Sequence, residues 1–235
     1  MGNNSTTKMR RLSIALLLSA VAIAKAHAGS VVGYIKFVDA PPKLAAVKVT
    51  KDQDYCGESL PNETYLIGSN GGLRNVVVFV EQALSSEAGL PKEVILDNDG
   101  CRFSPRVLAL TKGDRLKVRN SDLKLHIAHS YLGERTVFTV SLPFRGTTID
   151  VTKKIRNSGL LTLHCDTHAW MRGYIYVFDH PFFAVTDEQG SFSIPNLPAG
   201  KYTLKAWHED AGVRSQEVTI SERGETRVNF EFAKK

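Results

Sequence analysis

Apolar and polar residues alternate with a period of two along most of the chain from Gly29 onward. The alternation falls in short runs, such as Arg115–Asn120 and residues 217–220, which are separated by Gly, Pro, Asn and Asp. Such a pattern is typical of β-strands with one buried face. No segment after residue 28 has a convincing 3.6-residue apolar period, although residues 81–89 could hold one helical turn. The pattern predicts an all-β protein.

The predicted strands are short and follow one another closely. So many strands within the roughly 207 residues after position 28 favour two β-sandwiches over one. Strands are predicted at 31–38, 75–81, 93–96, 106–110, 115–120, 136–140, 148–151, 160–165, 173–178, 182–185, 191–194, 202–207, 215–220 and 227–232.

The only sustained apolar run, residues 12–24, follows basic residues at positions 8, 10 and 11 and precedes Ala26-His27-Ala28. This arrangement is typical of a secretory signal peptide with cleavage after Ala28. The run is shorter than the roughly 20 apolar residues of a spanning helix. An uncleaved amphiphilic anchor is the alternative. We therefore expect residues 1–28 to be removed and the mature protein to be periplasmic or extracellular, with no membrane span.

Charge and cysteine content narrow the classes of function. The formal net charge of +6 includes four basic residues and no acidic residue within positions 1–28, so the mature chain carries about +2. A mildly basic chain without a Lys/Arg cluster on a recognisable module gives little support to nucleic-acid binding. Export permits a disulfide among Cys56, Cys101 and Cys165. Because three is odd, one thiol must have another role.

Two turn signals in the C-terminal part of the chain, within residues 184–192 and 195–202, lie between predicted strands. These residues resemble the carboxypeptidase regulatory-like (transthyretin-like) β-sandwich, and residues 29–35 and 75–80 resemble its first two strands. The resemblance implies that 29–91 and 180–235 form one sandwich and that a second β domain, 92–179, is inserted into it. A plain tandem of two domains is the simpler alternative. The fold itself carries no chemistry.

The segment that carries chemistry is His164-Cys165-Asp166-Thr167-His168-Ala169-Trp170-Met171. One Cys, two His and a weak axial Met form the ligand set of blue-copper electron-transfer sites. A second His must therefore come from elsewhere. Upstream, Asn120 is followed six residues later by His126, after the predicted strand 115–120.

In the order Gly-Asp turn, strand, Asn, His and Cys-x-x-His-x-x-Met, residues 92–179 resemble the cupredoxins, and most closely the amicyanins. The resemblance implies a cupredoxin Greek-key β-sandwich. Carried over position by position, it implies one copper per chain, held by His126, Cys165, His168 and axial Met171. One position departs from the family: a common Asn after the first His ligand, which ties the ligand loops together, is here Ile127.

Each candidate ligand also has a structural interpretation. His126 could be a buried core histidine, Cys165 could be half of a disulfide, and Met171 could simply pack in the core. The other histidines at 129, 164, 180 and 208 are interpreted as supporting or structural, and His164 should point to the opposite face of the strand from Cys165.

The function expected from these residues is a mononuclear blue-copper protein that carries single electrons and is not an enzyme. A filled ligand set leaves no open position for a substrate. The resemblance implies weak docking to a redox partner, such as a c-type cytochrome or a periplasmic quinoprotein dehydrogenase. The docking face is expected near His168, with Ala169 and Trp170 around a solvent-exposed imidazole edge. Alternatives are a copper-binding and delivery protein and a metal-free structural or adhesive sandwich.

With Cys165 assigned to copper, Cys56 and Cys101 form the one remaining cysteine pair. A disulfide between them would join the two domains. Such a bond needs Cα atoms within about 7 Å, so two buried free thiols are the alternative.

Overall fold

The structure, a computed structural model, describes residues 2, 28–82 and 90–234. Strands dominate these residues, and the helical elements among them are the single turn α1 at Gln53–Cys56 and a 3-10 turn at Thr152–Lys154. The prediction of an all-β protein is confirmed. The predicted signal peptide, apart from positions 2 and 28, and the predicted helical turn from residue 83 onward lie outside the described residues.

The described residues form 18 strands, most of which coincide with predicted ones. In chain order they are β1 Ala28–Phe37, β2 Val47–Lys48, β3 Ser59–Leu60, β4 Val77–Val80, β5 Glu93–Asp99, β6 Arg102–Ser104, β7 Val107–Thr111, β8 Arg115–Asn120, β9 His126–Leu132, β10 Arg135–Leu142, β11 Thr148–Asp150, β12 Gly159–Cys165, β13 Arg172–Phe178, β14 Phe183–Val185, β15 Ser191–Pro198, β16 Gly200–His208, β17 Gly212–Ile220 and β18 Glu225–Phe232.

Segments from both ends of the described chain share one hydrophobic core, and we call them together the terminal lobe. One sheet has the order β15-β1-β18 and the other the order β14-β4-β16-β17. Inward residues of the two sheets, among them Val31, Ile35, Val78 and Leu204, belong to one buried cluster. The terminal lobe is therefore a two-sheet sandwich whose sheets come from residues on both sides of the intervening segment.

The intervening residues form a second core, and we call this part the central lobe. Its sheets have the orders β10-β9-β12-β13-β7 and β11-β8-β5-β6. Leu96, Leu116 and Val118 from the smaller sheet pack with Leu163 and Ile175 from the larger one. Both sheets alternate buried and more exposed residues, as expected for a β-sandwich.

The two lobes are joined by apolar and ionic contacts. Phe79 on β4 packs against Phe178 on β13, with ring centroids 5.0 Å apart. Arg106 donates two hydrogen bonds of 2.6 Å to the Glu209 carboxylate, and both side chains are largely buried. A bidentate, shielded pair of this kind fixes orientation as well as distance. The lobes therefore hold each other in a defined arrangement.

Candidate metal centre

The candidate ligands meet at one end of the central lobe because of where its strands begin and end. His126 is the first residue of β9 and Cys165 is the last residue of β12, and these strands are antiparallel neighbours with Cys165 opposite Ala128. His168 lies in the turn that leads from β12 into β13. Residues far apart in the sequence thus reach the same edge of one sheet.

Three side chains converge there: His126, Cys165 and His168 form a buried cluster whose ligand atoms lie within 4.8 Å of one another. The Cys165 Sγ atom is 3.7 Å from His126 Nδ1 and 3.8 Å from His168 Nδ1. The two Nδ1 atoms are 3.0 Å apart. No other group of three His, Cys, Asp or Glu side chains in the described part of the chain has this geometry.

The outer nitrogen of each histidine is bonded to a carboxylate. His126 Nε2 lies 2.9 Å from Asp122 Oδ2, and His168 Nε2 lies 2.9 Å from Asp52 Oδ2. Because an ionised carboxylate only accepts hydrogen bonds, each Nε2 must carry a proton and donate it. Each Nδ1 is therefore the nitrogen available to a metal, an arrangement common among metal-ligating histidines.

Asp122 is well suited to remain ionised. Burial raises the pKa of its carboxyl, but the hydrogen bonds from His126 and from the backbone N–H groups of Cys101 and Gly100 outweigh burial and lower this pKa. The backbone N–H groups donate to Asp122 over 2.8 Å from Gly100 and 2.9 Å from Cys101. The carboxylate therefore stays charged and holds the His126 ring in one orientation.

The Cys165 thiol is strongly acidic in this environment. Burial raises its pKa, yet hydrogen bonds with His126, His168 and Thr167 outweigh burial and lower the pKa to about 5. Burial lowers the pKa of His126, but Asp122 and Cys165 raise that pKa to about 9. Without a metal the cluster thus holds a thiolate beside an imidazolium. A soft cation can take the place of that proton, because the thiolate is the form that binds metal.

The ligand-atom distances fit a three-coordinate metal. With bonds of about 2.0 Å to nitrogen and about 2.3 Å to sulfur, a trigonal-planar ion separates nitrogen from sulfur by about 3.7 Å and nitrogen from nitrogen by about 3.5 Å. The sulfur–nitrogen distances of 3.7 and 3.8 Å agree with this, and the nitrogen–nitrogen distance of 3.0 Å is shorter by about 0.5 Å. One thiolate and two imidazoles form a donor set that suits copper.

Met171, the predicted axial ligand, is buried in the same apolar cluster as Cys165. Its backbone N–H donates to the His168 carbonyl over 3.0 Å and closes the turn that carries His168. This places Met171 directly before β13. Its axial role stays a prediction.

The ligand loops are tied together without the Asn that Ile127 replaces. The Ile127 carbonyl accepts a hydrogen bond from the Asp166 N–H, and the Leu125 carbonyl accepts one from the Thr167 hydroxyl, 3.0 and 3.1 Å long. The Thr167 hydroxyl also lies 3.0 Å from Cys165 Sγ. The backbone carbonyls on either side of His126 are therefore linked to the segment after Cys165.

The prediction that the His168 imidazole has a solvent-exposed edge is wrong. His168 is completely buried, because the α1 loop, which lies between β1 and β4 in the chain, covers it and supplies Asp52. Ala169 is exposed, but Trp170 is partly buried and its Nε1 donates to the Cys101 carbonyl over 3.1 Å. The sequence gives no signal for Asp52, which lies 116 residues from His168. Asp122, four residues before His126, is close enough to be a candidate from spacing alone.

The disulfide between Cys56 and Cys101 is confirmed, with Cα atoms 5.7 Å apart, and Cys165 is a buried free thiol. His164 pairs with His129 across β12 and β9. Its ring contacts Tyr131, with centroids 5.6 Å apart, while Cys165 points into the core. His129 bonds to Asp166 and to Tyr131. These neighbouring histidines lie outside the three-residue cluster.

Comparisons with known proteins give partial matches. Residues 154–228 match the family model of polysaccharide lyase family 4, domain II, which is not the carboxypeptidase regulatory-like family that the sequence resembles. This match covers less than half of the chain and includes strands of both lobes. No curated protein matches the chain.

Several solved structures with a copper site or a cupredoxin fold are similar to part of the chain. A copper-containing nitrite reductase (NirK) from Thermus scotoductus SA-01 is 23% identical over 42% of this chain, with a TM-score of 0.35, and this chain spans 25% of the reductase. A purple cupredoxin from Nitrosopumilus maritimus is 20% identical over 37% of this chain and 98% of its own, with a TM-score of 0.31. A methionine-to-alanine mutant of amicyanin in the Cu(I) form is 18% identical over 43% of this chain and 97% of its own, with a TM-score of 0.31. These values are too low to assign a family.

Among the described residues, no helix is long and apolar enough to cross a membrane.

Proposed function

We propose that this chain binds one copper ion through His126, Cys165 and His168, with Met171 as the axial ligand, and carries single electrons. The observation that carries the proposal is the convergence of one acidic thiol and two imidazole Nδ1 atoms, each imidazole being fixed by a carboxylate. Copper supplies the Cu(I)/Cu(II) couple when bound. The protein supplies a buried site with one predetermined geometry.

The burial of the cluster favours an electron carrier over an enzyme. All three donors are buried, and the Asp52 contact occupies the outer side of His168. A closed coordination shell leaves no position for a substrate. The same closure supports retention of copper rather than delivery, since exchange needs a route for the incoming ligand.

The location, partners and domain limits belong to the same proposal. We propose cleavage after Ala28, export to the periplasm or the extracellular space, and weak transient docking to a c-type cytochrome or a periplasmic dehydrogenase. We further propose 92–179 as the cupredoxin domain, with 29–91 and 180–235 together forming a second β-sandwich. The separate cores of the two lobes support this division.

The direct test of metal binding is a visible spectrum of the copper-loaded protein with Cys165→Ser as the comparison. Wild-type protein should show an intense thiolate-to-copper charge-transfer band that bleaches on reduction, and Cys165→Ser should have no such band. Serine replaces a soft thiolate with a hydroxyl, so the transition has no donor orbital of suitable energy. A band that survives in Cys165→Ser, or copper bound by wild-type protein without the band, would contradict the assignment.

A further inference from the structure

One wall of the candidate metal centre comes from the chain segment between β1 and β4. Asp52 lies in this segment immediately before α1, and its Oδ2 atom accepts the hydrogen bond of His168 Nε2 over 2.9 Å. His168 has no exposed surface, whereas the Asp52 side chain is about one quarter exposed. Asp52 thus stands between His168 and the solvent. The orientation of this imidazole depends on a residue outside its own lobe.

The loop that contains Asp52 is bonded to the end of the central lobe at which the candidate ligands meet. Cys56, the last residue of α1, is bonded to Cys101. The Tyr55 hydroxyl in the same turn donates to Asp122 Oδ1 over 3.2 Å, and Asp122 also accepts the N–H of Cys101. The disulfide therefore connects the loop that contains Asp52 to the residue whose N–H binds Asp122.

The backbone of Asp52 is restricted as well. Its φ of 53° and ψ of 36° lie in the left-handed region, which few residues other than Gly, Asn and Asp adopt. Lys124 lies 3.5 Å from Asp52 and 2.8 Å from Asp54, so the two carboxylates share one ammonium group. Asp54 is mostly exposed and has no contact with His168. Asp54 is therefore a matched control for the charge of Asp52.

We propose that Asp52 is the positioning residue for His168, and that the Cys56–Cys101 disulfide holds Asp52 in place, so that copper retention depends on both. This inference rests on the proposed copper site. Asp52 binds Nε2, directs Nδ1 toward Cys165 and covers the imidazole from water. The disulfide limits how far the loop can move away from His168. The α1 loop is thus a structural part of the metal centre rather than only a connection between β1 and β4.

The test measures copper transfer from ascorbate-reduced, copper-loaded full-length protein to a chromogenic Cu(I) chelator. The variants are Asp52→Asn, which keeps the left-handed backbone and an acceptor oxygen, Asp52→Gly, which keeps only the backbone, and Cys56→Ser combined with Cys101→Ser. Loss of a partner that orients a metal ligand typically costs 10- to 100-fold in affinity. We expect release about 10- to 100-fold faster in Asp52→Gly and in the double variant, and an intermediate rate in Asp52→Asn.

Asp54→Asn is the control and should release copper at the wild-type rate. The charge-transfer band should shift in the Asp52 variants and remain unchanged in Asp54→Asn. A merely structural role would lower the unfolding temperature without moving the band. Wild-type release from Asp52→Gly would overturn the positioning role, and equal acceleration in Asp54→Asn would show that only the charge near Lys124 matters. Release at the wild-type rate from the double variant would show that copper retention does not depend on the disulfide.

A second measurement separates failure of this inference from failure of the copper site. In metal-free protein Cys165 is the free thiol, and it is buried. Alkylation of Cys165 by iodoacetamide should be at least about 10-fold faster in Asp52→Gly and in the double variant than in Asp54→Asn. The reason is that the cluster becomes accessible when Asp52 no longer covers it. If wild-type protein binds no copper, the proposed function fails, and these alkylation rates still decide whether Asp52 closes the cluster. Equal alkylation rates in all variants would refute the proposal that Asp52 covers the cluster.

Discussion

At the scale of single residues, each candidate histidine ligand has two contacts of different kinds. In His126 and His168 the Nε2 atom donates to an aspartate, and the Nδ1 atom faces Cys165. A carboxylate on one side of the ring leaves only the other nitrogen for a metal. The spacing of the ligands in the sequence is consistent with copper, but the carboxylates decide which nitrogen binds.

A different buried histidine gives a prediction about pH. Burial lowers the pKa of His208 to about 4 despite the nearby Asp210 carboxylate, and its Nδ1 accepts the N–H groups of Asp210 and Ala211. The ordinary pKa is about 6.5, so below that pH the unfolded chain binds a proton that the folded protein excludes. Stability is therefore complete above pH 6.5 and falls as the pH decreases toward 4.

We expect His208 to reduce the free energy of unfolding by about 2 kcal/mol between pH 7.5 and 5. Denaturant unfolding of metal-free protein at both pH values measures this, with His208→Gln as the comparison. The variant should be less stable at pH 7.5 but should lose about 2 kcal/mol less than wild type on acidification. If wild-type protein and His208→Gln lose the same stability between pH 7.5 and 5, His208 titrates normally in the folded protein.

At the scale of elements, β9 is the strand that matters most to the site, and it was not predicted from the sequence; the other strands without a prediction are the short β2, β3 and β6. Its inward residues are His126, Ala128 and Ser130, all buried, while Ile127 and Tyr131 point the other way. The apolar alternation is therefore weak on the buried face. Strands with Val, Leu or Phe on that face, such as β8 and β18, could be predicted because burial and hydrophobicity coincide there.

Ser130 on β9 carries a prediction of its own. It is completely buried, and its hydroxyl has no hydrogen-bond partner among the described residues. A buried, unpaired hydroxyl costs about 1–3 kcal/mol. Ser130→Ala should therefore raise the free energy of unfolding by about 1 kcal/mol, as measured by denaturant unfolding.

Ser121→Ala serves as the opposite control for Ser130→Ala. The Ser121 hydroxyl donates to Asp97 over 2.8 Å, so its loss should lower the free energy of unfolding by about 1–2 kcal/mol. A clear loss of stability in Ser130→Ala would mean that its hydroxyl is paired, for example through a buried water.

At the scale of the whole molecule, an ion pair and a disulfide hold the two parts of the chain together. Glu209 of the terminal lobe pairs with Arg106 of the central lobe, and the Cys56–Cys101 disulfide joins the α1 loop to the central lobe beside the candidate metal centre. The existence of the disulfide could be predicted, because cysteine count and compartment constrain it. The effect of the disulfide on the site could not be predicted, since the position of Asp52 depends on how the α1 loop packs on the central lobe.

The dependence on packing between distant segments also explains why the predicted docking face at His168 is wrong. Local spacing predicts that Cys165 and His168 lie on one loop, and the structure agrees. Exposure of His168, however, is decided by a loop more than 100 residues away. Long-range packing of this kind has no periodic or compositional signal in a single sequence. The proposed partner docking therefore requires a surface other than the His168 imidazole, which is buried.

The central claim is that copper is held by one thiolate and two imidazoles at the end of β9 and β12. X-ray absorption at the copper edge, on protein loaded with one copper per chain, tests it most directly. We predict one sulfur and two imidazole nitrogens in the coordination shell, with the sulfur absent in Cys165→Ser. A shell of nitrogen and oxygen atoms alone in the wild-type protein would contradict the claim.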